Sequence, residues 1–198
     1  MTVAGIEIAR DIMQRFGIMV HQRIKTGQTV AAGEILLKGE GTAEALHASW
    51  KISQTLVEIL SGIATATRAV VDAVEAANPT VRVACTRKTF PGGRRLSQMA
   101  VQSGGATLHR AGLSETILVF AEHRAFLNEV SFTGLADRLH QAAPEKKIGI
   151  EVSTIESAQE AIAAKFDVIQ LEKLTPAQVA EVVAIARLAL PAPLIAAA

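Results

Sequence analysis

The chain has 198 residues, 49% of them hydrophobic and 20% charged, with a formal net charge of +1. That balance gives no global attraction to nucleic acid or a membrane surface, no apolar run reaches the roughly 18 residues of a spanning helix, and the absence of tyrosine argues against a base-stacking surface. A single cysteine, Cys85, excludes an internal disulfide and suits a reducing, cytoplasmic setting.

Residues 3–16 carry Ile6, Ile8, Ala9, Ile12, Met13 and Phe16 close to helical spacing, and Gly17 closes them as a C-cap would. Short β-prone pieces at 18–20, 28–30 and 34–38, separated by Gly27 and Gly33, predict a small antiparallel sheet. This stretch has something of half a lipoyl or biotinyl domain, but no lysine sits at a hairpin tip flanked by Asp or Met, which excludes a swinging arm. Residues 42–77 predict a long helix, with a kink or boundary at Ser61-Gly62 and a stop at Asn78-Pro79.

From there the chain alternates. Strands are predicted over 81–86, 117–120, 148–152, 168–172 and 193–197, and helices over 96–102, 124–141, 155–165 and 176–188. Thr175 and Pro176 give the last helix an N-cap and a first-turn proline. Strands apolar on both faces and separated by helices are the parallel α/β pattern.

In α/β barrels the C-terminal strand ends carry the chemistry. Thr86-Arg87-Lys88-Thr89-Phe90-Pro91-Gly92-Gly93 follows the first such strand, and Gly104-Gly105-Ala106-Thr107-Leu108-His109-Arg110 is a second glycine-rich turn ending in cations. Guanidinium groups bind carboxylate or phosphate bidentately, and glycine lets backbone amides approach an anion. Glu151 and Glu172 lie at two further strand ends. Two carboxylates and at least four cationic or titratable groups are therefore expected on one rim. Each alone has a structural explanation: a helix-entry charge for Glu172, an exposed strand residue for Glu151, a satisfied core histidine for His109. Together they predict a site for an anionic substrate.

On these residues the chain resembles the quinolinate phosphoribosyltransferase (nicotinate-nucleotide pyrophosphorylase) family, and within it the ModD-type pyrophosphorylase branch linked to molybdenum transport. The resemblance rests on Ser61-Gly62-Ile63-Ala64-Thr65, Thr86-Arg87-Lys88-Thr89 with Pro91-Gly92, Gly104-Gly105 with His109-Arg110-Ala111-Gly112-Leu113, and Glu151 and Glu172. It implies a small, partial N-terminal α/β sandwich followed by an incomplete parallel α/β barrel, here divided as residues 1–63 and 64–198. It also implies a homodimer with shared active sites. The implied reaction joins a small aromatic acceptor to phosphoribosyl pyrophosphate with release of pyrophosphate, assisted by Mg2+. Arg87, His109 and Arg110 would bind the acceptor's acid groups and Lys88 the phosphate oxygens. Glu151 and Glu172 would face the ribose hydroxyls and the metal. No nucleic-acid or membrane partner is implied.

Four departures from the family pattern bear on specificity. Lys51 stands for an arginine contributed across the dimer, Glu172 for an aspartate, Phe120 for a lysine, and Leu108 for an asparagine. Three of the four subtract polar recognition on the acceptor side, so the resemblance implies an acceptor other than quinolinate. The alternative is a non-catalytic oxyanion- or nucleotide-binding protein associated with molybdate transport, with Arg87 and Arg110 holding the oxyanion. Five barrel strands against the family's roughly seven, and an opening that resembles the family's interior, also lead us to expect a longer parent protein.

Overall fold

The computed structural model describes residues 1–22, 24–110, 112–127 and 130–198. Contacts divide them into two compact units, Met1–His109 and Arg110–Ala198.

The first unit begins with helix α1 (Ile6–Arg15), which buries Ile6, Ala9 and Met13 on one face. Strands β1 (Met19–Gln22) and β2 (Leu37–Glu40) pair antiparallel, with Met19 opposite Glu40. The predicted strand at 28–30 reduces to a single bridge between Thr29 and Thr2. Helix α2 (Ala43–Ala77) is capped by the Thr42 hydroxyl, which accepts the Ala45 N–H at 3.2 Å.

The helix runs unbroken through Ser61-Gly62, where the sequence predicts a kink. The reason is tertiary. Ser53, Ser61 and Thr65 lie on one face of α2 at multiples of four residues. Ser61 Oγ accepts the Ala4 N–H at 3.0 Å, Thr65 Oγ1 accepts the Thr2 N–H at 2.9 Å, and Ser53 Oγ donates to the Ala9 carbonyl at 3.4 Å. Small hydroxyls let the N-terminal segment lie close against α2 and satisfy its backbone groups, which would otherwise be buried at a cost. The Ser-Gly-Ile-Ala-Thr run is a packing seam.

Strand β3 (Ala84–Cys85) is followed by helix α3 (Arg94–Ser103) and strand β4 (Thr107–Leu108), which pairs parallel with β3. The sequence does not show β4, because two residues are too few for a periodicity. Gly104-Gly105 is not an anion cradle. A Cβ on Gly104 would stand 2.6 Å from the Ala64 carbonyl oxygen and from Thr67 Cβ, so the glycine is required by the approach of α2. The Gly104 N–H bonds back to Ala100 and Val101, and the Gly105 N–H to Gln102. These amides close the C-terminal end of α3, the end whose dipole repels anions.

The second unit is built on four parallel strands in the order β5 (Ile117–Val119), β6 (Ile148–Val152), β7 (Val168–Leu171) and β8 (Leu194–Ala197). Helices α5 (Phe132–Ala142), α6 (Ile155–Ala163) and α7 (Pro176–Ala186) connect them. Thr175 caps α7 by accepting the Gln178 N–H. The predicted helix over 124–141 is instead a short helix, α4 (Ala121–Arg124), and α5, which Ser131 caps by accepting the Gly134 N–H. Strand residues alternate between two faces. Ile148, Ile150, Val152, Ile169 and Leu171 pack on the helices with Phe132, Phe166, Ala158 and Val182. Gly149, Glu151, Val168 and Gln170 take the opposite face of the sheet. The mixed α/β architecture, with a parallel sheet in the second unit, is the fold class expected from the sequence.

At the N-terminal edge of this sheet Asp167 ties three strands together. Its carboxylate accepts the Ile148 N–H at 2.8 Å and the Lys147 ammonium at 2.8 Å, and its carbonyl accepts the Leu194 N–H at 2.9 Å. Burial alone would raise this carboxyl, but Lys147 and the Ile148 amide outweigh it and hold it below the usual carboxylate range. A depressed carboxyl contributes stability above its unfolded value and loses it as pH falls through the folded one. Asp167→Ala is therefore expected to cost about 1–3 kcal/mol at neutral pH, mainly by stranding the Ile148 amide. Urea unfolding at pH 7 and pH 3 checks this: the gap between variant and native protein should shrink at the lower pH.

Candidate functional site

In the first unit, the Cys85–Leu108 register and the His109 N–H bond to the Cys85 carbonyl at 3.0 Å set the C-terminal ends of β3 and β4 side by side. Arg87 and Lys88 leave one end and His109 the other, so the geometry brings these three predicted residues to adjacent strand ends. The loop after β3 is held by its own bonds. The Thr89 N–H bonds the Arg87 carbonyl at 2.9 Å, and the Gly93 N–H bonds the Phe90 carbonyl at 2.9 Å. Pro91 and Gly92, the latter at φ +82°, occupy the central positions of a type II turn. Lys88 is exposed and Arg87 half-buried.

Lys51 lies on α2 as an exposed side chain. Its ammonium donates to Gln54 Oε1 at 3.3 Å and stands 5.1 Å from the centre of the Trp50 ring. Leu108 is half-buried in an apolar cluster around Val71, Val101 and Ala106.

In the second unit, Glu151 lies on the sheet face away from the helices, one residue before the end of β6, in register with Gln170 of β7. Glu172 follows β7, its N–H bonding the Val152 carbonyl at 2.9 Å. Alternation along β7 returns Glu172 to the side of Gln170, and the two carboxyls come within hydrogen-bonding reach of each other. Burial first, and then Glu172, push the Glu151 carboxyl above the usual carboxylate range. The Gln170 amide, donating to Glu151 Oε2 at 2.6 Å, pulls the other way and fixes the orientation of the group. Gln170 is a site residue that motif reading missed. Its signal is a lone polar residue inside the apolar run Val168-Ile169-Gln170-Leu171.

Phe120 follows β5 and is the N-cap of α4. Its N–H donates to His123 Nδ1 at 3.0 Å, and the two rings lie 5.5 Å apart. Arg110 is buried and its guanidinium reaches the Thr116 carbonyl at 3.4 Å. Arg124 donates to the Glu151 backbone carbonyl at 3.5 Å and lies over the Phe132 ring at 4.9 Å.

Two carboxylates close enough to share a proton can share a divalent cation instead. Among the described residues, no three His, Cys, Asp or Glu side chains are placed to close on a metal. A two-carboxylate, all-oxygen set nonetheless fits magnesium, which retains waters and completes its shell with substrate phosphate oxygens.

A model of the C-terminal domain of quinolinate phosphoribosyl transferase matches residues 63–198, and one of its N-terminal domain matches residues 1–61. The chain belongs to the quinolinate phosphoribosyl transferase family. It is 47% identical over 184 residues to a Rhodobacter capsulatus protein named "Putative pyrophosphorylase ModD", covering 93% of this chain and 71% of that one. It is 40% identical over 178 residues to the Pasteurella multocida protein of the same name, covering 89% of this chain and 63% of that one. The Archaeoglobus fulgidus "Probable nicotinate-nucleotide pyrophosphorylase (carboxylating)" is 31% identical over 183 residues, covering 91% of this chain and 69% of that one. Among solved structures, NadC from Streptococcus pyogenes superposes with a TM-score of 0.88 at 26% identity, covering all of this chain and 68% of that one. The quinolinate phosphoribosyl transferase fold therefore accounts for both units. Among the described residues no helix is long and apolar enough to cross a membrane.

Proposed function

We propose that this chain carries a phosphoribosyl transfer site. The ring nitrogen of an aromatic heterocycle attacks C1 of phosphoribosyl pyrophosphate. The bond from C1 to the pyrophosphate oxygen breaks, and its electron pair leaves with pyrophosphate. The observation that carries this reading is the Glu151–Glu172 carboxyl pair on adjacent parallel strand ends, in a chain whose relatives are named as pyrophosphorylases.

The chemistry assigns the roles. Positive charge develops at the ribosyl carbon, and pre-placed carboxylates stabilise it. Gln170 holds the Glu151 carboxylate in place. Glu151 and Glu172 are the residues that would hold magnesium, whose charge offsets that of the leaving pyrophosphate. Lys88, exposed on a loop fixed by its own turn, would meet phosphate oxygens, and Arg87, His109 and Arg110 would bind the acceptor's acid group. Lys51, exposed on α2, would serve a neighbouring subunit in a cytoplasmic homodimer.

Calorimetric titration with phosphoribosyl pyrophosphate tests the reading. Magnesium-dependent binding by the native chain, lost in Glu172→Gln with the melting temperature retained, is the expected result. Equal binding by both proteins would reject the carboxylates' role.

The apolar Phe120 shapes acceptor choice. A second acceptor carboxylate left without a partner there costs roughly 1–3 kcal/mol. Quinolinate is therefore expected to bind weakly, and Phe120→Lys to tighten it by about tenfold or more. Ordinary quinolinate turnover by the native chain would contradict this.

A further inference from the structure

Lys173 follows Glu172 with its backbone in the left-handed region, at φ +61°. A side chain there crowds the backbone, so glycine or asparagine is usual. Among the described residues the other non-glycine residue in that region is Lys165, at φ +62°, and it has a local account. It closes α6, its N–H bonding the Ile162 carbonyl at 3.0 Å, and a lysine suits the negative end of a helix dipole. No helix ends before Lys173. The turn at Lys173 is needed, because it carries the chain from β7 to Leu174, which packs on the core, and to Thr175, the cap of α7. Glycine would make that turn with less strain. The turn therefore explains the backbone and leaves the ammonium unexplained.

The left-handed backbone redirects the side chain. Successive residues of an extended strand point to opposite faces, so in a continued β7 Lys173 would lie away from Glu172. Instead its Nζ stands 3.4 Å from Glu172 Oε1, beside the carboxylate that meets Glu151. The lysine side chain is 83% exposed, and Glu172 is its one ion-pair partner among the described residues. An exposed pair of this kind adds little to stability. An ammonium has three donors, so most of its bonding capacity is open to a ligand. The base of the side chain is fixed by backbone bonds, from the Glu172 N–H to the Val152 carbonyl at 2.9 Å and from the Lys173 N–H to the Ala198 carbonyl at 3.4 Å.

We propose that Lys173 binds the pyrophosphate leaving group through phosphate oxygens held beside Glu172. This rests on the phosphoribosyl transfer reading, in which Glu151 and Glu172 hold the magnesium that accompanies pyrophosphate. A lysine ammonium is a point charge suited to phosphate. As the bond from C1 breaks, its electron pair passes to the pyrophosphate oxygen, and Lys173 meets the added negative charge while keeping its own proton.

Calorimetric titration of the native chain, Lys173→Asn and Lys173→Arg tests this, with magnesium alone, magnesium pyrophosphate and ribose 5-phosphate as probes. Asparagine removes the charge and is at home in the left-handed region, so the melting temperature of Lys173→Asn should match or exceed the native value. That variant should weaken magnesium pyrophosphate by roughly 10- to 100-fold, the range for a lost charge-assisted bond. Magnesium alone and ribose 5-phosphate should bind as before. Lys173→Arg keeps the charge and should lose less. If Lys173→Asn fails to fold, Lys173→Gly takes its place, and failure of both makes the lysine structural and overturns the proposal. It is also overturned if a folded neutral variant binds magnesium pyrophosphate like the native chain, or if ribose 5-phosphate is the ligand lost. Loss of magnesium alone overturns it too, because Lys173 would then only support Glu172. Any of these results leaves the transfer reading standing if the native chain binds phosphoribosyl pyrophosphate with magnesium. A native chain that binds neither pyrophosphate nor phosphoribosyl pyrophosphate removes that reading, and the proposal with it.

Discussion

Glu151→Gln and Glu172→Gln are each expected to lower the rate of pyrophosphate release by about 100-fold or more, the effect typical of removing one pre-placed electrostatic stabiliser. Both substitutions keep the side-chain length and remove only charge. Their effect on stability should be small, and at neutral pH in the favourable direction for Glu151. Burial and Glu172 raise the Glu151 carboxyl, so the folded state favours its protonated form. A raised carboxyl contributes stability that is fully present below its unfolded value and is lost as pH rises through the folded one. At neutral pH the ionised pair therefore works against folding, and a neutral amide relieves it. The same linkage predicts that acid weakens magnesium binding: as pH falls through the raised Glu151 value, a proton takes the place of the cation. Melting curves with and without magnesium across pH 4–8 report both effects. A native-like rate in either variant, or a collapse in its melting temperature, would return the carboxylates to a structural role.

Lys88→Met is the second large effect expected. The ammonium is exposed and the loop that carries it is held by the Thr89 and Gly93 backbone bonds rather than by the lysine. Folding should tolerate the change within about 0.5 kcal/mol. If Lys88 meets the phosphate oxygens, kcat/KM for phosphoribosyl pyrophosphate should fall by roughly 100- to 1000-fold. Arginine at this position should restore part of the activity, because it keeps the charge with a different geometry. An unchanged kcat/KM in Lys88→Met would show that the loop cation is only solvated.

The parts of the fold that were legible in sequence are those with enough residues to show a period. Ile148–Val152 and Val168–Leu171 are apolar on successive positions and lie between capped helices, so their burial and parallel pairing could be read directly. Thr107–Leu108 could not, because a two-residue strand has no period and owes its existence to pairing with Ala84–Cys85. Ser61-Gly62 misled because a helix interior carrying that pair reads locally as a break. The competing force, the Ser61 bond to Ala4, spans 57 residues of sequence. Gly104-Gly105 misled for a related reason. The same lack of a Cβ that admits an anion also admits a neighbouring helix, and only the Ala64 and Thr67 contacts distinguish the two.

The candidate site divides similarly. Glu151, Glu172 and the Arg87-Lys88 pair are visible because charged residues at the ends of apolar strands stand out. Gln170 is quieter, because it is an amide whose role depends on its cross-strand partner, Glu151. That property does not belong to the residue alone.

The central claim is chemical, and phosphorus NMR tests it most directly. The native chain is incubated with phosphoribosyl pyrophosphate, magnesium and nicotinate. Phosphoribosyl transfer predicts that inorganic pyrophosphate appears together with an equimolar phosphoribosyl adduct, at a rate that depends on the acceptor and falls by about 100-fold or more in Glu151→Gln. Unreacted phosphoribosyl pyrophosphate at every acceptor concentration, together with molybdate binding in a parallel titration, would contradict the account and leave an oxyanion-binding protein on the quinolinate phosphoribosyl transferase fold.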